Sequence, residues 1–340
     1  MTFFVTRRCN ARCPYCFYLE SKDKPQRQGE ELTLKEIQRI SQSMGKLLWL
    51  AFSGGEPFLR KDLADISRIF YMRNRPAIML YPSNGLMPEL IRETMERILA
   101  ECPDSVITVK LSIDELGEQH NRLRNTPHSF EKALETYRLL VPLLERHPNF
   151  ELGINTVFCS ENQDSMDGII DFVAGLEHAP VHTISMVRGR LKKESYKAVD
   201  YGKYARAAAR LAGKMKDRSS SIYRFRGARL KAAQDILQRR LIHQTLHEQK
   251  RHIPCYAGRL SLVLTETGDV YPCEILTAGF GNIRDHDYDM RKIIGSQRAK
   301  QVIDPILDKR CHCTHECNLI MNILFNPRLY PPLLKEYLQL

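Results

Sequence analysis

Short apolar stretches rich in β-branched residues alternate along the chain with longer stretches of helical periodicity. The apolar stretches predict strands at Thr2–Thr6, Leu48–Ser53, Ala77–Pro82, Ile107–Ser112, Glu151–Phe158 and Val181–Ser185. The intervening stretches predict helices at Leu34–Ser43, Lys61–Tyr71, Pro88–Glu101, Phe130–Glu145 and Asp167–Leu176. Such alternation gives a parallel sheet with right-handed crossovers and an active site at the carboxyl ends of the strands. We therefore predict an α/β fold, a partial (β/α)6 TIM-like barrel, with an open doubly wound sheet as the alternative.

The pattern changes after about Arg190. Residues 194–250 are predicted to be helical throughout, because they are rich in Ala, Arg, Lys and Leu. The stretch "RLSLVLTETGDVYPC" alternates, turns at Thr267–Gly268 and alternates again, which predicts a β-hairpin. We therefore expect a core at residues 1–190, a helical linker at 191–254 and a small hairpin-containing domain at 255–340.

The net charge of +11 suggests an anionic partner only weakly. Much of the excess lies in residues 223–252, which are predicted to form a basic amphipathic helix. A solvated helix face explains this charge, and nucleic-acid binding is not expected because no pattern of stacking aromatic residues accompanies it.

No run of about 18 apolar residues occurs, so no membrane span is expected. The segment "MTFFVTRRC" lacks the apolar region of a signal peptide, and we expect a cytoplasmic protein. In a reducing compartment, ten cysteines are typical of metal ligands or reactive thiols rather than disulfides. Cys102 and Cys159 stand alone and are predicted to be small buried hydrophobic residues.

Three cysteines, Cys9, Cys13 and Cys16, lie in the stretch "CNARCPYC". They would share one face of a helix, but Asn10, Pro14 and the preceding strand favour a loop. Structural zinc requires four closed ligands. An iron–sulfur cluster held by three thiolates instead leaves one iron free to bind a substrate or cofactor.

The spacing C-x3-C-x2-C after the first strand resembles the signature of the radical S-adenosylmethionine (radical SAM) enzymes. The resemblance implies that Cys9, Cys13 and Cys16 hold a [4Fe–4S] cluster whose open iron binds S-adenosylmethionine. Reductive cleavage of this cofactor then gives methionine and a 5′-deoxyadenosyl radical. Tyr15 matches the family's usual aromatic residue.

Three further stretches carry the same resemblance. In "FSGGEPFL", paired Gly54 and Gly55 let the backbone approach a ligand closely, and Glu56 would accept a hydrogen bond from the methionine amino group. The tripeptide "SNG", which contains Asn84, ends the third strand as in the family.

The stretch "KLSIDELGEQHNRLR" resembles the family's S-x-D…H-x3-R pattern. By that resemblance Ser112 and Arg124 would hold the methionine carboxylate, while Asp114 and His120 either contribute to the site or brace the loop. Val187 aligns with an apolar residue that packs against adenine in the family, although an ordinary core position explains it equally well.

The second cysteine group resembles the SPASM or "twitch" extension of radical SAM enzymes. Its first half contains Cys255, Gly268 and Cys273, and its second half is "CHCTHEC". The full SPASM pattern has seven cysteines, so the five in this region suggest a single auxiliary [4Fe–4S] cluster. The resemblance favours Cys255, Cys273, Cys313 and Cys317 as ligands, with Cys311 as the alternate for Cys313. His312, His315 and a zinc ion are lesser alternatives.

These resemblances imply an oxidoreductase-type radical SAM enzyme that acts on a peptide or small metabolite. Its cofactors would be S-adenosylmethionine and two [4Fe–4S] clusters, and its partners a substrate and a reductant such as flavodoxin or ferredoxin. The alternative is a protein with structural clusters that binds RNA or another anionic partner through residues 194–252. The cofactor-binding groups Glu56, Ser112 and Arg124 argue against it.

Overall fold

A computed structural model describes residues 1–18, 30–308 and 311–340. Its strands are β1 Thr2–Thr6, β2 Trp49–Gly54, β3 Ile78–Ser83, β4 Val106–Ser112, β5 Phe150–Phe158, β6 Val181–Met186, β7 Val263–Leu264, β8 Asp269–Tyr271 and β9 Gly281–Asn282. Its first six helices are α1 Leu34–Gln42, α2 Leu63–Asn74, α3 Pro88–Glu101, α4 Gly117–Leu123, α5 Ser129–Arg146 and α6 Met166–Ala174. The later helices are α7 Tyr201–Lys216, α8 Ala228–Glu248, α9 Met290–Ile294, α10 Gln297–Leu307, α11 Glu316–Leu324 and α12 Tyr330–Leu338.

The β/α alternation predicted from the sequence is confirmed. All six predicted strands of the core are present with ends that differ by at most one residue, and they pair in parallel in chain order. The five predicted helices are present too. The short helix α4 was not predicted, because it is too brief for its periodicity to register.

Alternate residues of the core strands pack into the hydrophobic core under the crossover helices. In β2, Leu50 and Phe52 are fully buried, and Phe52 stacks on Tyr81 of β3 with ring centroids 5.1 Å apart. The intervening positions carry polar side chains, such as Thr108 and Lys110 in β4. This period-2 pattern puts one set of apolar side chains into the core. The other face of the sheet is polar in β4 but carries Trp49 and Leu80 in β2 and β3.

The C-terminal hairpin extends the main sheet. β7 pairs in parallel with β1, with Thr2 opposite Val263, and β8 and β9 follow antiparallel. The strand order is therefore β6-β5-β4-β3-β2-β1-β7-β8-β9. The hairpin was expected, but its pairing with the first strand was not.

The prediction of continuous helix over residues 194–250 is only partly correct, because α7 and α8 are separate helices. Most basic residues of 223–252, such as Arg224, Arg229 and Arg240, are exposed, as the prediction of a solvated basic face requires. The other face of α8 packs against α7, α11 and α12, and one basic residue lies on that packed side. Arg239 in its middle is only 4% exposed. Among the described residues, no helix is long and apolar enough to cross a membrane.

Candidate active site and auxiliary cluster site

The residues predicted to bind the cofactor lie at the carboxyl ends of neighbouring parallel strands. The cysteine loop follows β1, Gly54 ends β2, Asn84 follows β3, Ser112 ends β4 and Val187 follows β6. Parallel strands place these ends at one edge of the sheet. The topology thus brings together segments that lie far apart in the sequence.

Gly54 and Gly55 allow the loop after β1 to pass close to the end of β2. The Gly55 amide donates to the Thr6 carbonyl at 2.8 Å, and the Glu56 amide donates to the Arg8 carbonyl at 2.9 Å. A Cβ atom on Gly55 would lie only 2.1 Å from the Arg8 carbonyl oxygen, and Gly54 has a φ of +116°. The close neighbour of these glycines is therefore the backbone that leads into the cysteine loop, in addition to any ligand.

The three thiols of the cysteine loop lie near one another and near a cation. Burial raises the pKa of Cys13 to about 11; the Arg124 guanidinium lowers it, and the Cys16 and Cys9 thiols raise it. The Cys9 Sγ accepts from the Ala11 amide at 3.4 Å and from the Asn84 side chain at 3.8 Å. Three partly buried thiols in one loop fit a cluster that is held by three thiolate ligands. A raised thiol pKa does not prevent this, because a thiol loses its proton when it binds a metal.

Glu56 is a buried carboxylate that is held in place by the end of β3. Its Oε2 accepts from the Asn84 amide at 2.8 Å and its Oε1 accepts from the Ser83 hydroxyl at 2.9 Å. Burial raises the pKa of Glu56 to about 7, although these hydrogen bonds oppose the shift. The carboxylate is thus positioned to receive a cationic group, which would favour its charged form. Ser83 was not assigned a role from the sequence, but it begins the "SNG" tripeptide.

Arg124 and Tyr15 meet at the buried carboxylate of Asp114. The Arg124 Nη1 and the Tyr15 hydroxyl both donate to Asp114 Oδ2 at 2.5 Å, and the Val157 amide donates to Oδ1 at 2.7 Å. The Nε of Arg124 is buried and has no hydrogen-bond partner in the described part of the chain. A guanidinium has five N–H donors, so Asp114 orients Arg124 and leaves donors for a second anion.

His120 braces the loop after β4, which is one of its two predicted roles. Its Nδ1 accepts a hydrogen bond from the Asp114 amide at 3.1 Å. Burial lowers the pKa of His120 to about 4, so the ring is neutral near pH 7. Ser112 lies half-buried at the end of β4, and Val187 is 7% exposed with its amide bonded to the Phe158 carbonyl at 3.0 Å.

Four of the five C-terminal cysteines lie together. Burial raises the pKa of Cys311 to about 11, and the nearby Cys313, Cys273 and Cys255 thiols raise it further. Burial also raises the pKa of Cys313, and the Cys255 and Cys273 thiols raise it further. Four thiols from a hairpin and two loops fit a closed cluster.

Cys317 lies in a different, charged environment. Its sulfur and ligand atoms of Glu274 and His315 all lie within 4.8 Å of one another. Although burial opposes the shift, the neighbouring His315 and Arg188 cations lower the pKa of Glu274 to about 2. Cys317 itself lies on the first turn of α11. Its assignment as a cluster ligand, with Cys311 as the alternate for Cys313, stays a prediction.

Arg188 connects the two cysteine regions. Its guanidinium pairs with Glu316 at 2.6 Å and with Glu274 at 3.3 Å. Glu316 directly precedes Cys317 in the sequence, and Glu274 directly follows Cys273. It also lies over the ring of Phe17, with 5.4 Å between the guanidinium carbon and the ring centroid. Phe17 directly follows Cys16. The sequence does not predict this contact. Its one local signal is a charged residue in the stretch "VRG" that follows β6.

Sequence profiles of two families match the chain. The profile of the Radical SAM superfamily matches residues 3–173, and that of the SPASM iron–sulfur cluster-binding domain matches residues 255–318. The AdoMet-dependent heme synthase of Methanosarcina barkeri is 24% identical over 84% of this chain and 79% of its own length. The PqqA peptide cyclase of Bradyrhizobium diazoefficiens is 27% identical over 51% of this chain and 42% of its own length, so less than half of that relative is matched.

Solved structures share the fold at low sequence identity. The structure titled native anSMEcpe with bound AdoMet and Kp18Cys peptide superposes with a TM-score of 0.64 over 100% of this chain and 95% of that chain, at 17% identity. SuiB of Streptococcus suis gives a TM-score of 0.54 over 80% of this chain and 59% of that chain, at 16% identity. The two matched profiles imply three cofactors: S-adenosylmethionine, the [4Fe–4S] cluster that binds it, and auxiliary iron–sulfur cluster binding in the SPASM domain. This chain belongs to the radical SAM superfamily and carries a SPASM domain.

Proposed function

We propose that this protein is an oxidoreductase-type radical SAM enzyme that acts on a peptide or a small metabolite. Its relatives by name include a heme synthase and a peptide cyclase, and a structure of the same fold holds a peptide. These relatives support both substrate classes. We further propose a core at residues 1–190, a linker at 191–254 and an auxiliary-cluster domain at 255–340.

The observation that carries this proposal is a pair of buried, oriented charges beside the cysteine loop. Glu56 is 1% exposed and Arg124 is 8% exposed, and both lie at the edge of the sheet where the three thiols lie. A cluster with a purely structural role needs neither group. A zwitterionic amino acid needs both, because its ammonium and carboxylate require opposite partners.

In this proposal each residue has a stated task. Cys9, Cys13 and Cys16 bind the cluster, Glu56 accepts from the amino group of S-adenosylmethionine, and Arg124 donates to its carboxylate. When bound and reduced, the cluster and S-adenosylmethionine supply a 5′-deoxyadenosyl radical that removes a hydrogen atom from the substrate. Ser112 adds a hydroxyl donor to the methionine carboxylate, while Val187 offers an apolar surface to the adenine.

The auxiliary site completes the proposal. We assign Cys255, Cys273, Cys311 and Cys313 as its ligands, in place of the set that contains Cys317. A second cluster in this position would accept an electron from the substrate or anchor it. A small electron carrier such as flavodoxin or ferredoxin would supply the reducing electron.

The RNA-binding alternative has less support. A nucleic-acid interface requires side chains that reach phosphates from the surface. Exposed arginines such as Arg224, Arg229 and Arg240 give residues 194–252 a basic surface, but this alternative leaves the buried Glu56 and Arg124 beside the cysteine loop without a role.

The test is an anaerobic assay for 5′-deoxyadenosine with the reconstituted enzyme and a strong reductant. The enzyme should form 5′-deoxyadenosine, and a Cys255→Ala/Cys273→Ala variant should still form it slowly while yielding no product from a substrate. The variant must first show native-like circular dichroism, because metal binding also stabilises folds. Absence of 5′-deoxyadenosine from the unmutated enzyme would refute the radical reaction. Undiminished product from the folded variant would reduce the auxiliary cluster to a structural role.

A further inference from the structure

A cavity of about 110 Å³ lies between helices α8 and α11 and the face of the sheet that carries Thr108 and Lys110. Its lining includes Trp49 of β2, Leu80 of β3, Thr183 of β6 and Arg239 of α8. Residues of β4 and β5 also line it, so the sheet curves around this space. A single water molecule needs a cavity of only about 10–15 Å³, so this cavity has room for a small polar group. We call it the central cavity.

The central cavity lies directly below the cofactor-binding edge of the sheet. Lys110 lines it and shares a face of β4 with Ser112, because side chains alternate along a strand. The two Cα atoms are about 7 Å apart at the usual rise per residue. Asn155, which pairs in register with Ser112, also lines the cavity. A molecule in the cavity would therefore extend toward the bound cofactor.

Arg239 brings an unbalanced charge to this cavity. Its side chain is buried, at 4% exposure, yet it has no carboxylate within ion-pair distance in the described ranges. Within those ranges its hydrogen-bond contact is to the Met215 sulfur at 4.0 Å. A thioether is a weak, uncharged acceptor, and buried charges in proteins are normally paired. This guanidinium is therefore suited to an anion that comes from outside the chain.

The nearby carboxylates are already engaged with other partners. Asp235 accepts from the Tyr223 hydroxyl at 2.7 Å and also pairs with Lys231. Glu316 pairs with Arg188 at 2.6 Å. Burial raises the pKa of Asp235, whereas the cations Lys231, Arg239 and Lys110 lower it. This one carboxylate therefore faces three cations, and a positive excess remains around the cavity.

Lys110 adds a second cation, and it has no carboxylate within ion-pair distance among the described residues. Its Nζ donates to the Thr183 hydroxyl at 3.1 Å. Glu151 also faces it, but that carboxylate accepts from the Arg224 amide at 2.5 Å. Burial lowers the pKa of Lys110 to about 7; Asp235 and Glu151 raise it, and the positive charges of Lys231 and Arg239 lower it further. An anion between Lys110 and Arg239 would stabilise both charges.

We propose that the central cavity binds an oxyanion of the substrate, a carboxylate or a phosphate, through Arg239 and Lys110. This proposal rests on the proposed function, since it places the substrate below the cofactor. It narrows the substrate class to anionic peptides or metabolites. The reacting carbon would lie between the anion and the cofactor, a few bonds from the anionic group.

Trp49 makes this proposal directly measurable. It is the only tryptophan of the chain and it lines the central cavity. The fluorescence of the anaerobic reconstituted enzyme would be titrated with acetate, inorganic phosphate and neutral acetamide, at an ionic strength held constant with chloride. We expect a saturable change with an anion and none with acetamide. The anion that binds more tightly identifies the carboxylate or phosphate class.

Two variants and a matched control decide which residues bind the anion. Arg239→Gln and Lys110→Gln should each raise the dissociation constant of the preferred anion roughly tenfold or more, as expected for losing a hydrogen bond to a charged group. Arg240→Gln removes the same charge from the next position of α8, where Arg240 is exposed and pairs with Glu336. That control should bind the anion as the unmutated enzyme does.

A stability measurement separates ligand binding from a structural role of Arg239. Loss of an unpaired buried charge should leave the melting temperature of the ligand-free Arg239→Gln enzyme unchanged or raised. A marked decrease, equal binding by Arg239→Gln and Arg240→Gln, or an equal response to acetate and acetamide would overturn the proposal. The titration needs no turnover, so its failure would refute the anion site alone. Failure to form 5′-deoxyadenosine would instead refute the proposed function.

Discussion

The contact between Gly55 and the strand that leads into the cysteine loop allows a sharp test of the site. In Gly55→Ala, the new Cβ would lie 2.1 Å from the carbonyl oxygen of Arg8 and 2.9 Å from that of Arg7. Both neighbours are backbone atoms, so no side chain can rotate to make room. The loop or the end of β2 must move by roughly 1 Å to reach ordinary van der Waals contact.

The magnitude follows from the contacts that such a shift would break. The Gly55 amide donates to the Thr6 carbonyl at 2.8 Å, and the Glu56 amide donates to the Arg8 carbonyl at 2.9 Å. Weakening two partly buried backbone hydrogen bonds should lower the free energy of unfolding by about 2–4 kcal/mol. A shift of about 1 Å in the cysteines relative to Glu56 should also slow 5′-deoxyadenosine formation by roughly 100-fold.

The assay compares Gly55→Ala with Gly45→Ala. A Cβ atom on Gly45 would meet no other atom within 4 Å, and Gly45 has no positive φ. Its substitution should therefore change the free energy of unfolding by less than about 0.5 kcal/mol. Iron content, thermal unfolding followed by circular dichroism, and 5′-deoxyadenosine yield would be measured anaerobically for both variants. Normal cofactor cleavage and normal stability in Gly55→Ala would refute the claim that this contact positions the cysteine loop.

Three further predictions concern the cofactor and the auxiliary cluster. Arg124→Ala should weaken S-adenosylmethionine binding by about 1.5–3 kcal/mol in equilibrium titrations, and Arg124→Lys should restore it only partly because an ammonium cannot form the guanidinium fork; unchanged binding would contradict the assigned role. The folded-state pKa of Glu56 is raised to about 7, so its charge is lost as the pH falls through that value. Binding should therefore weaken several-fold between about pH 7.5 and pH 6, and Glu56→Gln should bind weakly with little dependence on pH. In iron analysis, Cys311→Ala should lower the content from about eight irons per chain to about four, while Cys317→Ala keeps about eight; the reverse result would restore Cys317 as a ligand.

Much of the cofactor site follows from the sequence because it depends on strand order alone. Apolar periodicity locates β1 to β6, and right-handed crossovers then place all their carboxyl ends at one edge. Cys9, Glu56, Asn84 and Ser112 each follow or end a different strand, so their proximity needs no knowledge of side-chain packing. Their residue types carry the remaining information, since three thiols, a carboxylate and polar side chains suit a cluster and a zwitterion.

The partners of the buried charges depend on contacts that no local pattern encodes. Asp114 receives Tyr15 from 99 positions earlier in the sequence, and that contact requires the finished loop geometry. The same holds for Arg188, which reaches Glu316 across 128 positions. A sequence pattern identifies these groups as polar, whereas only the tertiary structure decides which charge meets which.

The sequence by itself determined the order of the strands, the edge that bears the site and the identity of the cysteine groups. The tertiary structure alone decided that the hairpin pairs with β1, that Cys317 lies beside Glu274 and His315, and that Arg239 of α8 is buried facing a cavity. The physical reason is separation along the chain. Hydrophobic periodicity shows which face of a segment meets the core, and it depends on residues only a few positions apart. Pairing between distant segments is set by packing and charge burial summed over the whole fold.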